Sequence, residues 1–216
     1  MKNLLALCSL LIGLGVANTA NAATFVAGYT FDDNAFSDSL LSFSGDYTIS
    51  GGSLEQVLTD SDLTTYAFSF SPDAYVNLGF TDNFLVNGAG DDLVLFELGI
   101  PDTFEVSLTV GGITNSYTSS NTGFQAAGYN VNALSINLDD FGVAAGGLLS
   151  NVVVGLGIQT ISGTVPSLAV VGALNSAPVG GSTSVPEPGS AMAFLALGAF
   201  GATSVLKRKQ HQAKFN

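Results

Sequence analysis

The chain has 216 residues and a formal net charge of −12, and its charged residues are unevenly placed. All five Lys and Arg residues and the one His lie at the two ends, whereas every acidic residue except Glu187 lies between residues 23 and 185. A segment without cations cannot capture nucleic acid through its phosphates. Without His, Cys or Lys, it also lacks the groups for Ser–His, zinc, copper or Schiff-base chemistry.

Residues 1–22 have the layout of a secretory signal peptide. Lys2 precedes an apolar stretch, residues 4–16, that is too short to span a bilayer. The segment ends in the small-x-small motif Ala20-Asn21-Ala22, so we predict cleavage after Ala22. Cys8 is the one Cys of the chain and would leave with the peptide, so the mature body has no disulfide.

Residues 23–174 show the two-residue hydrophobic period of β-strands. In 103–110, apolar residues alternate with polar ones, and Gly111-Gly112 then suits a hairpin turn. Short strands joined by Gly, Asn, Asp and Ser turns predict an all-β fold, a jelly-roll-like β-sandwich. The glycines of 141–150 argue against a helix there, and no amphipathic helix is expected elsewhere in this body. The other predicted strands lie in 24–31, 45–58 (around Gly51-Gly52), 63–70, 74–80, 91–98, 111–118, 134–138, 151–159 and 167–174.

Seven carboxylates in this body are candidate calcium ligands, because calcium prefers carboxylate oxygens, and six of the seven form three adjacent pairs. Their spacing is not that of an EF-hand loop. They could instead cap turns and keep an acidic surface soluble, or adapt the protein to salt. The seven are Asp32, Asp33, Asp91, Asp92, Glu97, Asp139 and Asp140.

Catalysis in this body could rest only on paired carboxylates, as in glycosidases. Asp91-Asp92 with Glu97, or Asp139-Asp140, could supply such a pair. Sugar-cleaving sites usually add Trp, Arg or His, which this body does not have. We therefore expect no enzyme activity and no catalytic residue.

The tyrosines are a second candidate feature, since all six lie in the body. Aromatic side chains can form a platform for sugar rings, although a tyrosine on an alternating strand more often packs in the core or at its rim. The six are Tyr29, Tyr47, Tyr66, Tyr75, Tyr117 and Tyr129.

The C-terminal part of the chain has the composition of a targeting segment. Residues 175–184 are small and polar with Pro and Gly, which predicts a flexible linker. An apolar run over 191–206 predicts a short transmembrane helix. The basic residues Lys207, Arg208 and Lys209 would stop transfer, leaving 210–216 as a cytoplasmic tail.

Together, Val185, Pro186, Glu187, Pro188, the apolar run and the basic cluster resemble the PEP-CTERM sorting signal of Gram-negative bacteria over 184–209. The resemblance implies recognition of Pro186, Glu187 and Pro188 by the membrane protease exosortase, with the basic cluster as retention signal. It also implies export by the secretion machinery, transit through the inner membrane, and delivery to the cell surface or extracellular matrix. In this family such export commonly accompanies exopolysaccharide production and biofilm formation. From the carboxylates of the body we add the hypothesis that calcium bridges them to an acidic exopolysaccharide.

Residues 75–112 resemble a β-sandwich module of bacterial surface proteins, in which a Gly-x-Asp-Leu-x-Val-Phe-Glu strand precedes a Phe-x-Val strand. Leu95 replaces the Val of that pattern. This second resemblance implies a fold, and a fold does not give a function. A calcium-assisted carbohydrate-binding or adhesion module therefore stays open as the alternative. The matching residues are Gly90, Asp92, Leu93, Leu95, Phe96, Glu97, Phe104 and Val106.

Overall fold

The computed structural model of this chain describes residues 23–108, 112–157 and 165–179. The predicted signal peptide, the sorting signal over 185–209 with its hydrophobic helix, and the tail lie outside these residues. Within the described ranges, every helix is too short or too polar to cross a membrane.

Within the described residues the regular structure is almost all β-strand, with one short α-helix and one 3-10 helix. The helices are α1 (Leu54–Leu58) and the 3-10 helix Leu138–Phe141. The strands are β1 (Ala23–Val26), β2 (Tyr29–Asp32), β3 (Ser39–Ser44), β4 (Tyr47–Ile49), β5 (Ala67–Ser69), β6 (Tyr75–Gly79), β7 (Asn83–Val86), β8 (Leu93–Leu98), β9 (Thr103–Ser107), β10 (Thr114–Thr118), β11 (Ser120–Ala126), β12 (Tyr129–Ile136), β13 (Leu148–Leu149), β14 (Asn151–Gly155), β15 (Leu168–Ala173) and β16 (Ser176–Pro178).

Two antiparallel sheets form the predicted β-sandwich. One has the strand order β10-β9-β14-β6-β3, and the other has the order β11-β12-β8-β15-β5-β4. The second sheet is covered on both faces at strand β8, where all six residues are buried. Leu93 and Leu95 face the core between the sheets, whereas Val94 and Phe96 belong to a second cluster on the opposite face. A strand buried on both faces reads as a continuous hydrophobic run.

The hairpin β1–β2 covers that opposite face. Phe31 is 1% exposed, and its ring centroid lies 6.1 Å from that of Phe96. Tyr29 packs edge-on against Phe96 at 5.5 Å. This part of the described body therefore has three layers, namely the two sheets and the hairpin. The aromatic residues of the hairpin pack on the outer face of the second sheet.

The flexible linker predicted over 175–184 begins too early. Ser176–Pro178 forms strand β16, which pairs with β7, and β13 pairs with the other edge of β7. The backbone N–H of Val179 also donates to the carbonyl of Asp82 at 3.1 Å. The body therefore extends at least to Val179. Residues 176–178 pair with the backbone N–H and C=O groups along one edge of β7, which would otherwise lack partners there.

The strand predicted around 53–58 is wrong, because Leu54–Leu58 is helical. Ser53 caps the helix by accepting from the backbone N–H of Gln56, and the Gln56 side chain accepts from the backbone of Ser53. This capping box is a sequence signature of a helix start. The predicted hairpin is confirmed by the pairing of Ser107 with Thr114, while residues 109–111 at its turn lie outside the described residues. The pattern did not predict strands β3, β7, β11 and β13.

Candidate functional site

Asp92 is a buried structural acceptor. Its side chain is 0% exposed, and Oδ2 accepts from the backbone N–H of Leu138 at 2.9 Å. Oδ1 accepts from the backbone N–H of Gly88 at 2.7 Å and from Asn175 Nδ2 at 2.8 Å. The carboxyl group therefore joins three separate segments at one end of β8.

The other acids of the three pairs are exposed. Asp91 directs only its backbone carbonyl to Asn175, and Asp32 Oδ2 accepts from Ser176 Oγ at 3.5 Å. Asp139 and Asp140 lie in the 3-10 helix, yet they have different partners. Asp139 Oδ1 accepts from Asn87 Nδ2 at 2.8 Å, and Asp140 Oδ2 accepts from the Tyr117 hydroxyl at 3.1 Å.

The seven predicted calcium ligands are thus distributed over the body. Among the described residues, no group of three or more Asp, Glu, His or Cys side chains lies together in the geometry of a metal site. Asp92 accepts from backbone N–H groups of two loops, as the turn-capping alternative expects, whereas Asp139 and Asp140 accept from the side chains of Asn87 and Tyr117.

Glu97 lies in a buried polar cluster of its own, at the opposite end of β8 from Asp92. Its Oε1 accepts from the backbone N–H of Asp102 at 2.8 Å and from the Ser119 hydroxyl. Across the β12–β8 pair it faces Asn132, whose Nδ2 donates to the Gly99 carbonyl at 3.3 Å. Burial raises the pKa of Glu97 to about 7, against the lowering effect of its hydrogen bonds, and the Asp102 charge raises it further.

The geometry argues against Asp92 and Glu97 as a glycosidase pair. The two residues are five positions apart along extended chain, which corresponds to roughly 16 Å. The two carboxyl groups of a glycosidase are about 5–9.5 Å apart. Both side chains are also 0% exposed, so neither faces a surface where a sugar could bind.

An acidic cleft of about 320 Å³ opens beside the start of β3. Asp38 Oδ2 accepts from the Thr81 backbone and hydroxyl and from the Asp82 backbone, at 2.7 to 3.1 Å. Burial opposes ionisation of Asp38, but these hydrogen bonds outweigh it and lower its pKa. Burial and the neighbouring Asp38 raise the pKa of Asp82. The lining residues are Thr24, Asp33, Asn34, Phe36, Ser37, Asp38, Thr59, Ser61 and Asp82.

A second cleft, of about 230 Å³, is lined by aromatic residues on the outer side of β5. Tyr66 and Phe68 are nearly parallel, with ring centroids 6.4 Å apart and 16° between their planes. Tyr129 from β12 stands edge-on to Tyr66 at 6.0 Å and is 48% exposed. We call this the aromatic cleft; Leu98, Gly99, Val165 and Ser167 complete its lining.

Most of the remaining tyrosines pack against other aromatic side chains or form hydrogen bonds within the body. Tyr29 contacts Phe31 and Phe96, and its hydroxyl lies 3.2 Å from Ser135 Oγ. The Tyr47 hydroxyl donates to the Tyr75 carbonyl at 2.8 Å, and burial raises the pKa of that phenol. Tyr66 and Tyr129 are therefore the two tyrosines that meet in a cleft. Phe68 was missed, although its place in the alternating run 66–70 could have indicated it.

Residues 184–209 match the family model of the PEP-CTERM protein-sorting motif. The match spans the predicted Pro-Glu-Pro motif and the basic cluster that ends at Lys209. The chain is therefore an exported protein that carries the sorting signal of exosortase substrates. No curated protein and no solved structure matches it.

Proposed function

We propose that this exported, exosortase-sorted chain is a non-enzymatic protein of the cell surface or extracellular matrix that binds exopolysaccharide and contributes to biofilm. The sorting signal supports export, and the body offers binding surfaces but few side chains that could catalyse a reaction. All acids except Glu187 lie in 23–185, and that segment contains no Lys, Arg or His. Its function therefore has to rest on shape, aromatic contact and carboxylates.

The aromatic cleft is the observation that carries the proposal. Tyr66, Phe68 and Tyr129 present ring faces and edges on the surface of a rigid sheet. Aromatic rings offer large apolar contact area, and the tyrosine hydroxyls add a polar group at the rim. A sugar ring has the complementary character, with apolar C–H faces and polar edges.

The negative charge of the body favours a neutral polysaccharide over an acidic one as a direct ligand. The 16 carboxylates of residues 23–185, a segment with no Lys, Arg or His, repel an acidic chain, and the cleft has no cation with which to pair a carboxylate or sulfate. A neutral stretch of polysaccharide would therefore enter the aromatic cleft directly.

The alternative is a calcium-assisted carbohydrate-binding or adhesion module. The acidic cleft with Asp33, Asp38 and Asp82 favours it, because calcium could bridge these carboxylates to an acidic polysaccharide. The two modes differ in their dependence on calcium.

Cosedimentation of the full chain with the polysaccharide of the producing cell tests both modes. We expect binding in chelator, and its loss in Tyr129→Ala and Phe68→Ala. Phe43→Ala is the matched control, because Phe43 is 55% exposed but lies on β3, in the other sheet. Binding that requires calcium and survives Tyr129→Ala would favour the alternative. Absence of binding in both conditions would contradict the proposal.

A further inference from the structure

Three buried oxygen atoms lie in the polar cluster around Glu97 without a hydrogen-bond partner among the described residues. They are Glu97 Oε2, Asp102 Oδ1 and Asn132 Oδ1. Glu97 and Asn132 are 0% exposed and Asp102 is 6% exposed. Buried polar side-chain atoms are nearly always paired in folded proteins, so three orphans in one cluster require a cause.

The contacts of these residues bring them to one place. Glu97 and Asn132 are direct partners across β8 and β12, and such partners have Cβ atoms about 5 Å apart on the same face. The backbone N–H of Asp102 donates to Glu97 Oε1 at 2.8 Å. Ser119 donates its hydroxyl proton to the same oxygen. The Ser167 backbone lies near enough to help lower the Glu97 pKa, but Oε2 accepts no hydrogen bond of normal geometry.

The chain itself offers no positive charge to this cluster. Residues 23–185 contain no Lys, Arg or His, and the three orphan atoms are all acceptors. A buried water could donate hydrogen bonds to two of them, and a proton on Glu97, whose pKa burial raises to about 7, could donate to another. When Glu97 is ionised, a water leaves the negative charge of the cluster uncompensated. Uncompensated buried charge is strongly unfavourable, so a cation from outside the chain fits the site better than water.

We propose that Glu97, Asp102 and Asn132 together bind one calcium ion. Carboxylate and Asn carbonyl oxygens are the ligands that calcium prefers, and water or backbone carbonyls can complete its shell of about six to eight oxygens. Asp102 directly follows the exposed residues Ile100 and Pro101, so this ligand lies near the surface of the body. Sites of this kind in extracellular modules have dissociation constants on the order of 0.1–1 mM.

This site differs from the one that the sequence predicts. Glu97 was one of seven candidate calcium ligands and was grouped with Asp91-Asp92 only as a possible catalytic pair, and Asp92 lies at the far end of β8 with its own donors. Asp102 and Asn132 were not candidates, because neither belongs to an acidic pair. None of the three proposed ligands lines the aromatic cleft, although Asn132 donates to Gly99, which does. Calcium binding and polysaccharide binding are measured separately, so either proposal can fail alone.

Calcium titration of the purified full chain, stripped with chelator beforehand, tests the proposal. We expect one calcium ion per chain by calorimetry. At calcium about 100-fold above the dissociation constant, the melting temperature should rise by roughly 5–10 °C. Magnesium at equal concentration is the control for general screening of an acidic protein, and it should give a much smaller shift.

Glu97→Gln and Asp102→Asn are the decisive variants, since each keeps the side-chain shape and removes one charge. Both should lose the calcium-dependent shift. In chelator, Glu97→Gln should melt at or above the wild-type temperature, because its amide can donate to an orphan oxygen, and this shows that the variant folds. Asp91→Asn, an exposed acid beside Asp92, should keep the full response.

Each of the following results would overturn the site. The wild-type chain could bind no calcium, magnesium could give the same shift as calcium, or Glu97→Gln and Asp102→Asn could bind calcium as the wild type does. Loss of binding in Asp91→Asn alone would place the ion among the exposed acids and would equally overturn it.

Discussion

The carboxyl group of Asp92 accepts a hydrogen bond from the backbone N–H of Leu138, 46 residues later in the chain. The same group holds the Gly88 backbone and the Asn175 side chain, so one buried acid connects the loop before β8, the 3-10 helix and the corner between β15 and β16. In the sequence this residue is a calcium candidate, and in the structure it satisfies orphan backbone donors.

Replacing Asp92 with Ala should lower the free energy of unfolding by about 3 kcal/mol or more. The change leaves two backbone N–H groups and one amide without their acceptor, and each such buried loss costs about 1–3 kcal/mol. Urea denaturation measures the effect. The exposed neighbour provides the control, because Asp91→Ala should change stability by less than about 0.5 kcal/mol.

The Asp92→Ala measurement should be repeated in chelator. Hydrogen bonding predicts the same loss with and without calcium. If the loss disappeared in chelator, Asp92 would be acting as a metal ligand after all.

Gly172→Ala should loosen the hairpin β1–β2. A Cβ at Gly172 would lie 2.6 Å from Phe31 Cε1, and Gly172 also forms a bridge with Phe36. Overpacking of this kind typically costs about 1–3 kcal/mol. Thermal melting gives the loss, and proteolysis near the N-terminal hairpin should become faster.

Gly51→Ala is the matched control for Gly172→Ala, since its Cβ would meet no atom within 4 Å. It should be neutral or slightly stabilising. Equal losses at both positions would show that close packing of Phe31 is not the cause.

Tyr117 should make part of the stability depend on alkaline pH. Burial raises the pKa of its phenol to about 12; the Asn115 side chain opposes this, and the Asp140 carboxylate raises the pKa further. An unfolded tyrosine titrates near pH 10, so the folded state holds this proton more tightly. The resulting stability is fully present below about pH 10 and is lost as pH rises through about 12.

Ultraviolet titration of tyrosinate measures this directly. Tyr117→Phe should remove one step near pH 12, and Asp140→Asn should move that step to lower pH. Tyr75→Phe is the control and should leave the step in place. A Tyr117→Phe titration with the late step intact would contradict the assignment.

Glu187→Ala should block processing by exosortase. The motif match includes this residue, and the resemblance places it at the centre of the recognised Pro-Glu-Pro. We expect the longer, unprocessed form to accumulate in the inner-membrane fraction of the native host. Immunoblotting of cell fractions and intact-mass measurement detect it.

Ser182→Ala, just outside the matched residues, is the control for Glu187→Ala and should be processed normally. Identical mature masses for Glu187→Ala and the wild type would contradict the role of this residue.

The sequence by itself determined the address and the fold class. The PEP-CTERM motif is a local pattern of residues 184–209, so it can be read without knowing what contacts what. The two-residue period likewise predicts strands, because alternation decides which side of a sheet a residue faces. It failed where local hydrogen bonding competes with alternation, as in the Ser53–Gln56 capping box.

The tertiary structure alone decided which polar residues meet. Asp91 and Asp92 are adjacent in sequence, yet one is exposed and the other is buried with three donors. Glu97 meets Asn132 because β12 pairs with β8 in one particular register, and a shift of one residue would send both side chains to the other face. Register and sheet order are long-range properties of the packed chain, and short-range sequence patterns do not encode them.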